Sequence, residues 1–368
     1  MPAPALTKLA ASLPQTVPFV GPEAIERARG NAFRARLGAN ESSFGPSPAA
    51  VAAITHAASE SWKYCDPEVF ELRQALARHH GVAMDEVTVG EGIDGLLGLC
   101  IRLFAEPDAI VVTSLGAYPT LNYHVAGFGA RLHAVPYRDD REDLDALLAS
   151  VRDTRAKIVY LANPDNPMGS WSSADAVAAF ADALPPTTLL LLDEAYGEFA
   201  PAGTLPPLDT GRPNILRLRT FSKAYGLAGL RCGYAIGAAS LIGAFERVRN
   251  HFGVSSLTQA AATAALADQD YLGSVVARTA NAKERIAGIA RANGLLPLPS
   301  ATNFVTIDCA RDGAFARAVL DELAELGVFI RKPMAAHLDR CIRITAGQDD
   351  TLDVLEAALP LALARARG

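Results

Sequence analysis

The sequence predicts an α/β protein: a mostly parallel, mixed β-sheet covered by helices on both faces, followed by a smaller α+β unit. Three observations carry that expectation. Apolar runs at residues 87–89, 109–113, 157–161 and 189–192 alternate with helical stretches, as strands of a parallel sheet buried on both faces do. Polar residues follow each run directly, and open α/β sheets bind their ligands past the C-terminal ends of the strands. After about residue 270 the texture changes to long helices and short alternating strands. A chain of 368 residues suits more than one core. The expected division is an arm over 1–35, a large domain over 36–270 and a small domain over 271–368.

Taken in order, the first residues are rich in proline (Pro2, Pro4, Pro14, Pro18, Pro22) and lead to a short helix at 23–29. Gly, Pro, Ser and Asn make 37–48 a loop. Helices at 49–59 and 70–79 flank a loop that holds Tyr64. The strand at 87–89 runs through Gly90-Glu91-Gly92-Ile93-Asp94-Gly95 into an apolar helix at 96–104. Strands at 109–113, 157–161 and 189–192 end respectively near Tyr118, in Asn163-Pro164-Asp165-Asn166-Pro167-Met168-Gly169, and at Asp193. Two more strands are expected at 215–218 and 232–236. The C-terminal part reads as a helix at 272–293, a strand at 302–307, a helix, strands at 328–331 and 341–345, and a closing helix at 352–365. The middle helix places Phe315, Val319, Leu320, Leu323 and Leu326 on one face, with Asp312 as its N-cap and Gly327 just past its end.

Composition excludes several classes. Half the residues are apolar and a fifth are charged, the balance of a globular enzyme. A net charge of -6 opposes nucleic-acid binding, which needs clustered excess lysine and arginine. No apolar run approaches the length of a membrane span, and no basic-then-apolar leader opens the chain. Cys65, Cys100, Cys232, Cys309 and Cys341 lack CxxC spacing, and four of them lie in apolar runs, where a cysteine reads as a core residue; an odd, scattered set fits a reducing cytoplasm. The histidines show no metal-ligand spacing, and no metal is expected.

Chemistry concentrates in Thr220-Phe221-Ser222-Lys223-Ala224-Tyr225-Gly226-Leu227-Ala228-Gly229-Leu230-Arg231. A lysine between a strand end and a small-residue turn can be held rigid and partly dry, which makes its amine nucleophilic. Ser222 and Arg231 flank it as phosphate donors. Together they suggest a Schiff base to pyridoxal phosphate, and such a site needs further walls. Asp193, after four leucines, suits the cation of a protonated pyridine nitrogen, or else caps the next turn. Tyr196 is either a donor to the ring hydroxyl or a packed tyrosine. Gly92 and Ile93 open a helix whose N–H groups can take a phosphate. Tyr118 stands where a ring could stack, and Asn166 lies on a turn fixed by two Asn-Pro pairs. Arg343, inside an apolar strand, faces either inward to an anion or outward to water.

With these residues assembled, the chain resembles the fold-type I, pyridoxal-phosphate-dependent aminotransferases, most closely the histidinol-phosphate aminotransferase group. The resemblance spans residues 17–347. Residues 220–234, the Asn-Pro-Asp-Asn-Pro turn, Asp193 to Tyr196, Asn40-Glu41 and residues 341–347 carry it. It implies that Lys223 takes the cofactor's aldehyde and moves the proton at the substrate Cα. Asp193 would keep the ring nitrogen protonated, Tyr196 and Asn166 would contact the ring hydroxyl, and Tyr118 would stack. Ser222, Arg231, Gly92 and Ile93 would hold the phosphate. Tyr64 would reach that phosphate from a partner subunit, which implies a homodimer with shared sites. Arg343 with Asn40 would bind the substrate carboxylate, and Arg331 the substrate's far phosphate. The chain departs from the family's pattern at Phe19 (commonly tyrosine), Met168 (usually threonine), Gly92-Ile93-Asp94-Gly95 (a less polar cradle) and Cys65 (often proline).

The expected reaction moves an amino group from histidinol phosphate, or an aromatic amino acid, to a 2-oxo acid such as 2-oxoglutarate. A threonine-phosphate decarboxylase-like reaction would use the same cofactor. A cofactor-binding regulator would need a DNA-binding extension, and a nicotinamide dehydrogenase would need the glycine fingerprint this chain lacks.

Overall fold

The computed structural model describes residues 4–15 and 20–367. Strand β1 (Ala35–Arg36) precedes a seven-stranded sheet made of β2 (Val87–Gly90), β3 (Ile110–Ser114), β4 (Arg131–Val135), β5 (Ile158–Ala162), β6 (Leu189–Asp193), β7 (Ile215–Thr220) and β8 (Gly233–Gly237). Their spatial order is β2-β8-β7-β6-β5-β3-β4. The run from β7 to β4 is parallel, whereas β8 is antiparallel to both neighbours. The sheet is therefore the mostly parallel, mixed one expected.

Alternation along β5 shows how the strands feed two cores. Ile158, Tyr160 and Ala162 join one cluster with Leu96, Leu97, Cys100 and Ile101 of helix Gly92–Phe104. Val159 and Leu161 join the other, with Leu147, Val151, Val177 and Phe180 from helices Leu144–Thr154 and Ala174–Ala183. Successive side chains on a strand point to opposite faces, so an all-apolar run covers both. Strand β4 was not anticipated. It is an edge strand whose first three residues are exposed, so it carries no continuous apolar signal.

The C-terminal unit has a three-stranded antiparallel sheet of β9 (Leu296–Pro297), β10 (Phe304–Asp308) and, beyond the short β11 (Val328–Phe329), β12 (Cys341–Thr345). Helices Gln269–Ala292, Gly313–Glu325 and Asp349–Arg367 pack on it. Asp312 caps the second of these by accepting from Phe315 N at 2.9 Å, as its position predicts. β1 pairs in parallel with β11, and Ala35 and Leu37 are buried in the core of this unit. The chain thus enters the C-terminal unit before building the large sheet, then crosses to it with Gly38 to Asn40 at the seam. Among the described residues no helix is long and apolar enough to cross a membrane.

Candidate active site

A cavity of about 330 Å³ lies past the C-terminal ends of β5, β6 and β7, against the start of helix Gly92–Phe104. Ile93, Tyr118, Asn166, Asp193, Tyr196, Ser222, Lys223 and Arg231 all line it.

Lys223 stands three residues past β7 on a loop closed by backbone bonds from Phe221 N to Cys232 O (3.0 Å) and from Leu227 N to Phe221 O (3.0 Å). Gly226 makes the tight return possible: its φ is +70°, and an added Cβ would lie 2.4 Å from the carbonyl oxygen of Gly45. Only glycine meets both conditions cheaply. The Lys223 amine donates to the carbonyl of Asn40 at 3.3 Å and lies 5.6 Å from the centre of the Tyr196 ring. Burial, with the positive charges of Arg343 and Arg231 behind it, lowers the amine to about 8. A substantial neutral fraction near physiological pH is what a nucleophilic amine needs.

The end of β6 carries two buried acids with opposite fates. Glu194 accepts from Arg217 Nε and Arg219 Nε, each at 2.9 Å, a buried charge that is well paired. Asp193 makes no ion pair among the described residues; its oxygens accept from Tyr160 Oη at 2.7 Å and Ala195 N at 2.9 Å. Burial pushes it up to about 6. An acid left in a dry cavity without a cation is a place for a ligand's positive charge. Of the two roles open in the sequence, the 2.9 Å bond to Ala195 N makes Asp193 a turn cap, and its place in the cavity wall leaves it free to meet a cation too.

Donors that suit a phosphate converge at the other end. The helix begins at Gly92, several residues earlier than expected, so the N–H groups of Gly92 and Ile93 lie in its first turn, where they lack intrahelical partners. An added Cβ at Gly92, where φ is +75°, would meet Nη2 of Arg231 at 2.6 Å. Arg231 donates to Ser222 Oγ at 3.4 Å and pairs with Asp94 at 3.4 Å. Tyr118 donates to the other oxygen of Asp94 at 2.8 Å, so one carboxylate links ring and guanidinium.

At the seam Asn40, buried with φ +55°, donates from Nδ2 to Tyr196 Oη at 2.9 Å and accepts at Oδ1 from Thr345 Oγ1 at 3.0 Å. Tyr196, pushed up to about 12 by burial, is a phenol throughout the working range. Arg343 faces inward. It donates to Asn166 Oδ1 and to Gly38 O, its Nε is buried without a partner, and it forms no ion pair among the described residues. Arg331 pairs by a β-bridge with Arg343 and donates to Val20 O; it too lacks a carboxylate. Arginines whose partners are all neutral suit an anion. Phe19 lies outside the described residues.

Tyr64 is elsewhere. It is 86 % exposed and packs on Phe252 with ring centres 5.1 Å apart, so no single chain brings it into the cavity. The sequence reading missed Tyr160, Asp94 as a link, and the seam residues Asn303 and Thr345. Asn303 donates to the Asn40 carbonyl at 3.0 Å. Tyr160 sat in an apolar run where a tyrosine signals only packing.

These donors suit pyridoxal phosphate. An acid without an ion pair awaits the ring nitrogen, a cradle that a Cβ at Gly92 would fill awaits the phosphate, and a depressed amine lies between them. A strand-end site of this kind on a doubly covered, mixed sheet defines a cofactor-dependent group-transfer enzyme. The profile of the family described as aminotransferase class I and II matches residues 35–359, and the chain belongs to that family, the pyridoxal-phosphate-dependent transaminases. Histidinol-phosphate aminotransferase 1 of Nitrosococcus oceani is 37 % identical over 350 residues, covering 92 % of each chain. The protein of the same name from Bacillus cereus is 34 % identical over 347 residues, 92 % of this chain and 93 % of its own. Among solved structures, the histidinol-phosphate aminotransferase of Sinorhizobium meliloti in complex with pyridoxal-5'-phosphate superposes with a TM-score of 0.95 at 57 % identity, covering 98 % of this chain and 97 % of its own. An aspartate aminotransferase from Rhizobium meliloti, at 22 % identity, 99 % and 100 % coverage and a TM-score of 0.82, shares the fold.

Proposed function

We propose that this enzyme moves the amino group of histidinol phosphate to a 2-oxo acid such as 2-oxoglutarate, with pyridoxal phosphate bound in the cavity. The observation that carries the reading is Lys223, an amine lowered to about 8 in the same cavity as an acid without an ion pair. Bound there, the cofactor supplies an electron sink for the bond broken at the substrate Cα. Lys223 would take the proton from Cα and return it at C4′, the aldehyde carbon of the cofactor, as a general base and then acid. Asp193 holds a proton on the ring nitrogen; Asn166 and Tyr196 contact the ring hydroxyl, and Tyr118 stacks. Ser222, Arg231 and the N–H groups of Gly92 and Ile93 hold the phosphate. Arg343, beside Asn40, receives the carboxylate next to the reacting carbon of the 2-oxo acid or of an amino-acid donor. Arg331, an arginine without a carboxylate, suits a second anionic end, and the shared name of the relatives supports a phosphate there.

A homodimer completes this reading. Tyr64 and Phe252 are 86 % and 51 % exposed and in ring contact, an aromatic pair of the kind enriched at protein interfaces. Tyr64 then reaches the phosphate of the partner's cavity. The five free thiols suit a reducing cytoplasm. The two sheets with their separate cores support a large and a small domain, with the seam through the site.

The test is optical. The purified protein reconstituted with pyridoxal phosphate should show a visible band that Lys223→Ala abolishes. Histidinol phosphate should bleach that band in a single turnover faster than phenylalanine, tyrosine or histidinol. A colourless reconstituted protein would sink the cofactor reading, and equal bleaching by all donors the substrate reading.

A further inference from the structure

The acid at the end of β6 is held by a buried tyrosine of the neighbouring strand. Tyr160, in the middle of β5, donates its hydroxyl to Asp193 Oδ2 at 2.7 Å, and Ala195 N–H donates to Oδ1 at 2.9 Å. The parallel register sets Ala162 opposite Asp193. Residues two apart on a strand share a face, so Tyr160 and Ala162 both turn toward the acid and both line the cavity. Tyr160 has no exposed surface. A phenylalanine would fill that volume without burying a hydroxyl, so the hydroxyl costs free energy unless its bond matters. It serves a buried acid at the end of β6 that lacks an ion pair among the described residues, while the neighbouring Glu194 is neutralised by two arginines. Desolvation raises Asp193, and the Tyr160 hydrogen bond is the largest influence opposing it.

We propose that Tyr160 is a positioning residue for the transamination: its hydroxyl fixes the Asp193 carboxylate and keeps its negative charge available to the ring nitrogen of the cofactor. This rests on the reading of Asp193 as the ring-nitrogen acid. Bonds from Tyr160 and Ala195 fix the rotation of the carboxylate about its Cβ–Cγ bond, leaving its remaining lone pairs for the cofactor. Removing the hydroxyl leaves a buried carboxylate oxygen short of a donor, which favours its neutral form. A neutral Asp193 holds the ring proton less firmly, and the cofactor withdraws electrons from Cα less strongly.

The experiment compares wild type, Tyr160→Phe and Asp193→Asn, each reconstituted with pyridoxal phosphate carrying ¹⁵N at the ring nitrogen. The ¹⁵N chemical shift is followed against pH, together with kcat and KM. Tyr160→Phe should move the signal toward that of neutral pyridine, as Asp193→Asn does in full, and should lower the pH at which the ring proton is lost. Its kcat should fall about ten- to a hundredfold while KM for the amino donor stays within about threefold, because a hydrogen bond to a charged group is lost away from the substrate. A wild-type shift in Tyr160→Phe, beside a displaced one in Asp193→Asn, would overturn the role of Tyr160 and leave Asp193 standing. A wild-type shift in both would bring down the Asp193 reading as well. If Tyr160→Phe does not fold, 3-fluorotyrosine at position 160 keeps ring and hydroxyl but makes a stronger donor. It should displace the signal in the opposite direction to Asp193→Asn, and an unmoved signal would overturn the proposal.

Discussion

Arg343, on β12 of the C-terminal unit, donates its guanidinium to Oδ1 of Asn166, on the turn after β5 of the large sheet. One hydrogen bond therefore ties the arginine proposed for the substrate to the amide proposed for the cofactor, across the seam between the two sheets. The same guanidinium reaches Gly38 O at 3.2 Å and leaves Nε buried without a partner. Burial lowers the Arg343 pKa, which marks a cation short of counter-charge. An arriving carboxylate supplies it. Replacing Arg343 by Leu should raise KM for the carboxylate substrate 2-oxoglutarate about a hundredfold while the visible band of the bound cofactor persists, since a bidentate charged contact is lost at one end only. Steady-state kinetics with absorbance spectra check both halves.

Lys223 sets the pH response of cofactor capture. Its amine is lowered to about 8 by burial and by Arg343 and Arg231, so the neutral, reactive form grows as pH rises through about 8. The rate of reconstituting apoprotein should climb through that range and level off above it, well short of where an exposed lysine would titrate. The stability of the apoprotein should change in the same direction. Because the folded pKa lies below the unfolded one, the folded state binds fewer protons between about 8 and the ordinary lysine range near 10.4, and stability rises with pH across that window. Lys223→Met apoprotein should therefore gain on the order of 2 kcal/mol at pH 7 in denaturant titrations while losing all activity.

Gly92 is fixed by its surroundings. Its φ is +75°, and a Cβ would sit 2.6 Å from Nη2 of Arg231. Gly92→Ala should cost about 1–2 kcal/mol through the backbone alone and should also push Arg231 from the phosphate donors. The dissociation constant for pyridoxal phosphate should rise more than tenfold, measurable by fluorescence titration of apoprotein; an unchanged constant would remove Gly92 from the cradle.

Tyr64 gives the proposed dimer a functional readout. Lys223→Ala and Tyr64→Ala proteins should each be nearly inactive. In a mixed dimer one cavity carries both changes and the other neither. Re-equilibrated equimolar mixtures should then recover about a quarter of wild-type activity, since half the dimers are hybrids with one intact site each. No recovery in verified hybrids would place Tyr64 outside the partner's site.

Much of this was legible because the determinants are local. The strands that end at Asp193 and at Asn163 were visible as apolar runs closed by polar residues, and the lysine loop by its small residues. Lys223, Asp193 and Arg231 were found because ionisable groups in apolar or glycine-rich settings need a reason. Tyr160 was invisible because a strand tyrosine is usually core, and only the register of β5 on β6 brings its hydroxyl to the acid. The seam was invisible too: Asn40, Asn303 and Thr345 meet through hydrogen bonds spanning over 260 positions, and no periodicity encodes such pairs. Strand β4 failed for the opposite reason, since an exposed edge has little apolar pattern to read.

Arg331 is the residue proposed to select the substrate. It forms no ion pair among the described residues, its backbone is bridged to Arg343, and its guanidinium reaches Val20 O and lies 5.1 Å from the centre of the Phe329 ring. Burial lowers its pKa, so an anion beside it would be welcome. Because the two arginines are neighbours in one bridge, a donor with anionic or polar groups at both ends can use both, whereas a donor with one carboxylate uses Arg343 alone. Arg331→Gln keeps length and donors but removes the charge. It should raise KM for histidinol phosphate about thirty- to a hundredfold, the worth of a charge-assisted contact, and should leave KM for histidinol and phenylalanine within about twofold. Added inorganic phosphate should inhibit wild type and not the variant. Equal losses on every donor would assign Arg331 to the stability of the seam instead, which a matching fall in the melting temperature would confirm.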